Sequence, residues 1–243
     1  GTNNDLWIIW GRMESTRPLR RGGGWDECRL MVRYSDDNGT TWSDDAEVPD
    51  SFGWLPRNPS LTLSDGILAL PVSGSCDGKG GSALLAFNKA TNGWERRGLI
   101  PAGSQPTVIQ RNDGSLLAYM RNQPRLLMSE SSDNGMTWSA PVRSEHKNPG
   151  AGAAMTKLRS GRLILVYNDS ETERSPLCVI QSYDDGKTWQ DKRILEADDG
   201  EYSYPFIIQS SDDTVHLTYT YRRYSIKHTT FNETWLTHLE RPN

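Results

Sequence analysis

The side chains best equipped for chemistry gather where short apolar runs begin and end. Arg57 and Asn58 precede the run at Pro59, Gln105 precedes Pro106, and Glu201, Tyr202, Ser203 and Tyr204 precede Pro205. Arg12, Arg121, Asn168 and the pair Arg222 and Arg223 follow the ends of other runs. Arginine thus recurs at chain positions that are far apart. Guanidinium forks brought together would hold an anion, most simply a carboxylate gripped through parallel hydrogen bonds. Metal chemistry is not indicated. The histidines (His146, His216, His228, His238) and cysteines (Cys28, Cys76, Cys178) show no ligand spacing, and the cysteines read as buried thiols. No Gly-rich loop opens a helix, so no cofactor is expected.

These residues can act together only if the fold collects them, and internal repeats supply the means. Four segments share one grammar. A first strand opens near Pro59, Pro106, Ala153 and Pro205. A turn follows at Ser64-Asp65-Gly66, Asn112-Asp113-Gly114, Arg159-Ser160-Gly161 and Ser211-Asp212-Asp213. Asp-Gly between apolar runs is a strong hairpin signal. Second strands then run over Ile67–Val72, Leu116–Met120, Leu163–Tyr167 and Val215–Tyr219. Repeats of about 50 residues fit one four-stranded propeller blade. Trp42, Trp94, Trp138, Trp189 and Trp235 keep the same beat, and Leu6–Trp10 reads as a second strand without its first. The expectation is an all-β chain, residues 1–243 forming a single β-propeller domain of five visible repeats, the first clipped. Its inner strands would open onto one axial pocket.

A shared motif sharpens the fold. Ser35-x-Asp37-x-Gly39-x-Thr41-Trp42 recurs as Ser131-x-Asp133-x-Gly135-x-Thr137-Trp138 and Ser182-x-Asp184-x-Gly186-x-Thr188-Trp189. The Asp can accept bonds from its own turn, the Gly can supply positive φ, and the Trp can start the next strand and bury a ring. The motif resembles the Asp-box, or BNR repeat, of sialidase-like β-propellers. That resemblance implies six blades of four strands, with the boxes at the outer rim away from the pocket. Three expectations stay open: a missing N-terminal blade, which we favour, a five-bladed ring with an unusual seam, and completion by an oligomer.

The resemblance also implies a site. Sialidases hold a substrate carboxylate with three Arg, use a Tyr nucleophile paired with a Glu, and use an Asp as acid/base. The Tyr opens the inner strand of a late blade, where this chain has Glu201-Tyr202-Ser203-Tyr204. Distance from the turn at Asp212 favours Tyr204, and the Tyr-Ser dipeptide favours Tyr202. Glu201 or another rim carboxylate would be the base. Arg121 and one of Arg222 and Arg223 would grip the carboxylate, since neighbours in a strand face opposite sides. Arg57, Arg12, Asn58, Gln105 and Asn168 complete the expected substrate-binding set, and His146 is placed to reach it. The Phe/Tyr-Arg-Ile-Pro motif of the family is absent and the acid/base Asp is not identifiable, although Asp26, Glu27, Asp169 and Glu171 lie on candidate loops.

The implied activity is exo-hydrolysis of a terminal acidic sugar. A polysaccharide lyase or another glycan-active enzyme, and a non-enzymatic glycan-binding propeller, are the alternatives. The partner would be a glycan or small acidic sugar, in a secreted or periplasmic setting. A net charge of −4 and a pI of about 5.6 leave no nucleic-acid footprint. No apolar run reaches the ~20 residues of a membrane-spanning helix.

Overall fold

The computed structural model describes residues 6–16, 24–25, 27–76, 79–88, 90–91 and 93–237. It contains five antiparallel sheets in chain order, the blades of a β-propeller. Blade 1 is β1 (Leu6–Met13), β2 (Cys28–Ser35) and β3 (Ala46–Glu47). Blade 2 has β4 (Trp54–Pro56), β5 (Leu61–Thr62), β6 (Leu68–Cys76), β7 (Lys79–Asn88) and β8 (Gly93–Ile100). Blade 3 has β9 (Ser104–Gln110), β10 (Leu116–Arg121), β11 (Arg125–Ser131) and β12 (Val142–Lys147). Blade 4 has β13 (Ala154–Lys157), β14 (Leu163–Asn168), β15 (Leu177–Ser182) and β16 (Gln190–Glu196). Blade 5 has β17 (Tyr202–Gln209), β18 (Val215–Tyr221) and β19 (Ser225–Phe231), followed by the short helix α1 (Glu233–Thr237). No helix among the described residues is long and apolar enough to cross a membrane.

Among the described residues, blade 1 opens on β1, at the place the repeat pattern gives to a second strand. Blade 5 departs from that pattern. The residues before Trp235, last of the repeating tryptophans, form no box but the start of α1, where Asn232 Oδ1 accepts the Trp235 N–H at 2.9 Å, an N-cap. Trp235 keeps a packing role against Phe231 and beneath the Arg193 guanidinium of β16.

The core lies between blades. Four buried clusters join consecutive sheets: Leu30, Trp54 and Leu85 for blades 1 and 2, Ala86, Leu116 and Met120 for 2 and 3, Leu117, Leu163 and Tyr167 for 3 and 4, and Val166, Ile207 and Leu217 for 4 and 5. The second strands of the middle blades are largely buried on both faces because both meet a neighbouring sheet, as Leu163–Asn168 shows by burying every residue. On the outward faces, Leu6 and Ile8 of blade 1 and Phe206, Ile208 and Ile226 of blade 5 are exposed.

The boxes join third to fourth strands. In each, the Asp carboxylate accepts the Thr N–H and the Thr hydroxyl, the latter at 2.6 to 2.7 Å. The Ser hydroxyl accepts the Gly N–H. Positive φ occurs not only at the Gly but also at the preceding Asn38, Asn134 and Asp185, and the Trp lies just before the fourth strand, not within it. The boxes also clasp the preceding blade. Asn134 bonds Asp65, Asp185 bonds Asn112, and Trp189 Nε1 donates to the Tyr119 hydroxyl at 3.1 Å. Asp65 and Asn112 lie in the turns after inner strands, at the ends opposite Gln105 and Tyr204.

Candidate functional site

One irregularity recurs at the openings of the inner strands. In blade 2 the inner strand breaks between β4 and β5, and Arg57 leaves the break. In blade 3 the β9–β10 register shifts between Tyr119 and Arg121, and Gln105, just before Pro106, has φ 51°. In blade 5 the β17–β18 register shifts between Ser203 and Phe206, and Tyr204, just before Pro205, has φ 55°. A residue before proline normally stays extended, and positive φ is uncommon outside glycine. Such strained positions cluster at binding sites. Here the twist aims Gln105 and Tyr204 at the axis. Blade 4 offers Gly152 at the equivalent place, ahead of Ala153.

These positions open onto a cavity of about 990 Å³, near the upper end of the range for small-molecule sites. Arg57, Gln105, Arg121 and Tyr204 line it, with Trp25, Leu55 and Pro56 as an apolar wall and Gly74, Gly81 and Gly103 as a bare one. Tyr204 is 38% exposed there. The Arg57 and Arg174 guanidinium carbons lie 5.5 and 5.4 Å from the Tyr204 ring centroid. The charges of Arg121 and Arg174 both act on the Tyr204 phenol. Arg121 Nη1 also reaches Gln105 Oε1 at 3.4 Å.

The arginines differ in freedom. Arg57 is the floor: its nitrogens donate to Asn58 Oδ1 (2.6 Å), the Ala153 carbonyl (3.0 Å) and the Pro205 carbonyl (2.8 Å). Burial pushes it down to about 10, so it stays charged at neutral pH. Arg174 rises from the loop between β14 and β15. Its carbonyl accepts the Tyr202 N–H at 3.0 Å, and its Nη1 donates to Glu201 Oε1 at 2.6 Å. Glu201 is further bonded by Ser203 Oγ at 3.2 Å and by Arg223. Arg174 is the functional candidate that sequence reasoning missed.

Several expected residues stand elsewhere. Tyr202 is fully buried and points into the core of blades 4 and 5, where its hydroxyl accepts Arg222 Nε at 3.0 Å. Arg222 pairs with Asp198 at 3.1 Å and belongs to that cluster, not to the cavity wall. Strand alternation does not separate Arg222 from Arg223, because β18 ends at Tyr221 and both have positive φ in the loop. Asn58 and Asn168 are buried braces, donating to the carbonyls of Pro106 and Tyr202 at 2.8 Å. Arg12 is exposed and paired with Glu14 at 2.8 Å, away from the cavity lining. His146 is packed among Tyr119, Tyr167 and Trp189 instead of reaching the pocket. Asp169 pairs with Lys192 at 2.7 Å. Asp26 and His238 lie outside the described residues.

A second cavity of about 530 Å³ opens at the other end of the inner strands, lined by Arg111, Lys157 and Arg159. Its cations are already engaged, Arg111 with Glu130, Lys157 with Asn112 and Arg159 with Asp213. Among the described residues, no three His, Cys, Asp or Glu side chains gather to hold a metal.

The family model of the BNR repeat-like domain matches residues 20–217. The chain belongs to that family. The solved structures similar to this BNR domain include sialidases. The Hadza microbial sialidase Hz136 aligns with a TM-score of 0.80 at 20% identity, over 96% of this chain and 51% of that one. The intramolecular trans-sialidase from Ruminococcus gnavus, solved with oseltamivir carboxylate, aligns at 0.70 and 20% identity, over 87% and 52%. The NanB sialidase from Streptococcus pneumoniae aligns at 0.73 and 17% identity, over 86% and 36%. The BNR domain therefore spans about half the length of the first two, and at such identities the likeness shows the fold. No curated protein matches it in sequence.

Proposed function

We propose that the axial cavity binds a terminal acidic sugar by its carboxylate and acts on it as a sialidase-type glycoside hydrolase. The observation that carries this reading is the convergence of Arg57, Arg121 and Arg174, from three blades, on Tyr204. Arg121 and Arg174 serve as the forks, and Arg57 supplies charge from beneath. Tyr204 is the nucleophile. Its phenol proton passes to water in the open cavity, its oxygen bonds the anomeric carbon as the bond to the aglycone oxygen breaks, that oxygen takes a proton back from the water, and a second water then releases the sugar and restores the phenol. The carboxylate ligand of the Ruminococcus gnavus enzyme is consistent with this choice of substrate.

A second reading, binding without turnover, is favoured by one observation: no carboxylate among the described residues lines the cavity. Calorimetry with N-acetylneuraminic acid and a uronic acid, beside turnover of an aryl glycoside of each, separates the two. Arg121→Ala should weaken binding by roughly 1.5–3 kcal/mol, the range for a bond to a charged group. Acidic sugars binding no tighter than neutral ones would sink both readings.

A further inference from the structure

Tyr204 is surrounded by cations, and the Glu201 carboxylate, three residues before it, is engaged by other partners. The guanidinium groups of Arg57 and Arg174 lie over the Tyr204 ring, Arg121 lines the same cavity, and Arg223 stands behind Glu201. Glu201 spends Oε1 on Arg174 and Ser203 and Oε2 on Arg223, with no hydrogen bond to Tyr204. A base must lie within hydrogen-bonding reach of the proton it takes. Glu201 does not meet that condition. It does fix Arg174, whose guanidinium lies against the Tyr204 ring.

Building on the reading of Tyr204 as the reacting group, we propose that its arginine cage, and not Glu201 acting as a base, brings it to the phenolate form, with Glu201 as the positioning residue for Arg174. The phenol proton leaves to water through the open cavity. Four guanidinium groups face one carboxylate here, so the site can carry a phenolate and a substrate carboxylate together without excess negative charge. Gln105 holds the corresponding place in blade 3 with a neutral amide, which adds no competing anion. Burial pushes the Tyr204 phenol up, but the charges of Arg121 and Arg174 outweigh it and hold it below the usual tyrosine range.

The test is an ultraviolet titration of phenolate in the free protein, without sugar, comparing wild type with Tyr204→Phe. One tyrosine should ionise below the others, and Tyr204→Phe should remove that step. Arg174→Gln should move it up by about one pH unit or more. Glu201→Ala should move it the same way by releasing Arg174, and Glu201→Gln, which keeps an acceptor, should restore most of the shift. If both Glu201 variants lower the midpoint instead, Glu201 acts on Tyr204 as a negative charge and the positioning role is wrong. Should Glu201→Ala fail to fold, Gln105→Glu tests the cage from the other side and should raise the midpoint. A Tyr204 that titrates with the remaining tyrosines overturns the proposal. The titration uses no sugar, so this failure is distinct from a pocket that binds no acidic sugar.

Discussion

A Cβ on Gly152 would stand 2.8 Å from Arg57 Nε and 2.9 Å from Gln105 Oε1. Blade 4 thus contributes an absence of side chain where blades 3 and 5 contribute Gln105 and Tyr204, and Arg57 of blade 2 fills the space.

Gly152→Ala should therefore displace Arg57 and Gln105. The expected cost is about 1–3 kcal/mol in stability, as for other overpacked sites, together with weaker binding of acidic sugars. Gly150→Ala is the control. It strains the backbone, at φ 75°, as Gly152→Ala does not, but its Cβ would meet only Gln123, at 3.9 Å. Calorimetry on both variants decides the matter, and equal affinities would show that Arg57 has no part in binding.

The two tyrosines should separate cleanly. Tyr204→Phe should abolish turnover of an aryl glycoside while leaving the fold intact, since Tyr204 is exposed in the cavity. Tyr202→Phe should leave turnover intact and lose about 0.5–1.5 kcal/mol of stability with the Arg222 bond. The reverse pattern in urea unfolding and turnover would return Tyr202 to the site.

The fold was legible because its signals are local. A box needs only eight neighbouring residues, and each Asp-Gly turn needs two or three. The site was partly legible for the same reason: Arg57, Gln105, Arg121 and Tyr204 all stand next to a strand opening or end. The choice between Tyr202 and Tyr204 was not legible, because it depends on the register shift between Ser203 and Phe206, which breaks strict alternation. Arg174 was hidden for another reason. Its loop is placed by tertiary bonds, Gln123 Nε2 to the Glu171 carbonyl and the Tyr202 N–H to the Arg174 carbonyl, which no motif announces. Arg222 misled because a strand was expected to continue where a loop begins.

The boxes should contribute to acid sensitivity. Hydrogen bonds from Thr and Ser hydroxyls and backbone N–H groups hold Asp37, Asp133 and Asp184 down to about 2. An unfolded Asp titrates near ~3.9. The folded value is the lower, so the stabilisation is complete above roughly pH 4 and is lost as pH falls toward 2. Asp133→Asn should flatten the stability curve in that window and leave sugar affinity unchanged. An unchanged acid slope would show that the box carboxylate adds nothing to stability.

His146 should act in a separate, higher window. Burial among Tyr119, Tyr167 and Trp189 pushes its imidazole down to about 4, whereas an unfolded histidine titrates near ~6.5. Between those values the unfolded chain binds the proton and the folded one does not. Stability therefore rises with pH across this interval, and it declines as pH drops from about 6.5 toward 4. Below 4 the folded state is protonated as well and the loss levels off. The full penalty is on the order of 3 kcal/mol, from ~1.4 kcal/mol per pH unit of displacement. His146→Phe keeps a ring among the same neighbours and removes the titration. Urea unfolding at a series of pH values should show the variant's curve flat from pH 7 to 4.5 while the wild type declines. Parallel curves would mean that His146 is hydrated or paired in solution, and that acid sensitivity above pH 4 arises elsewhere.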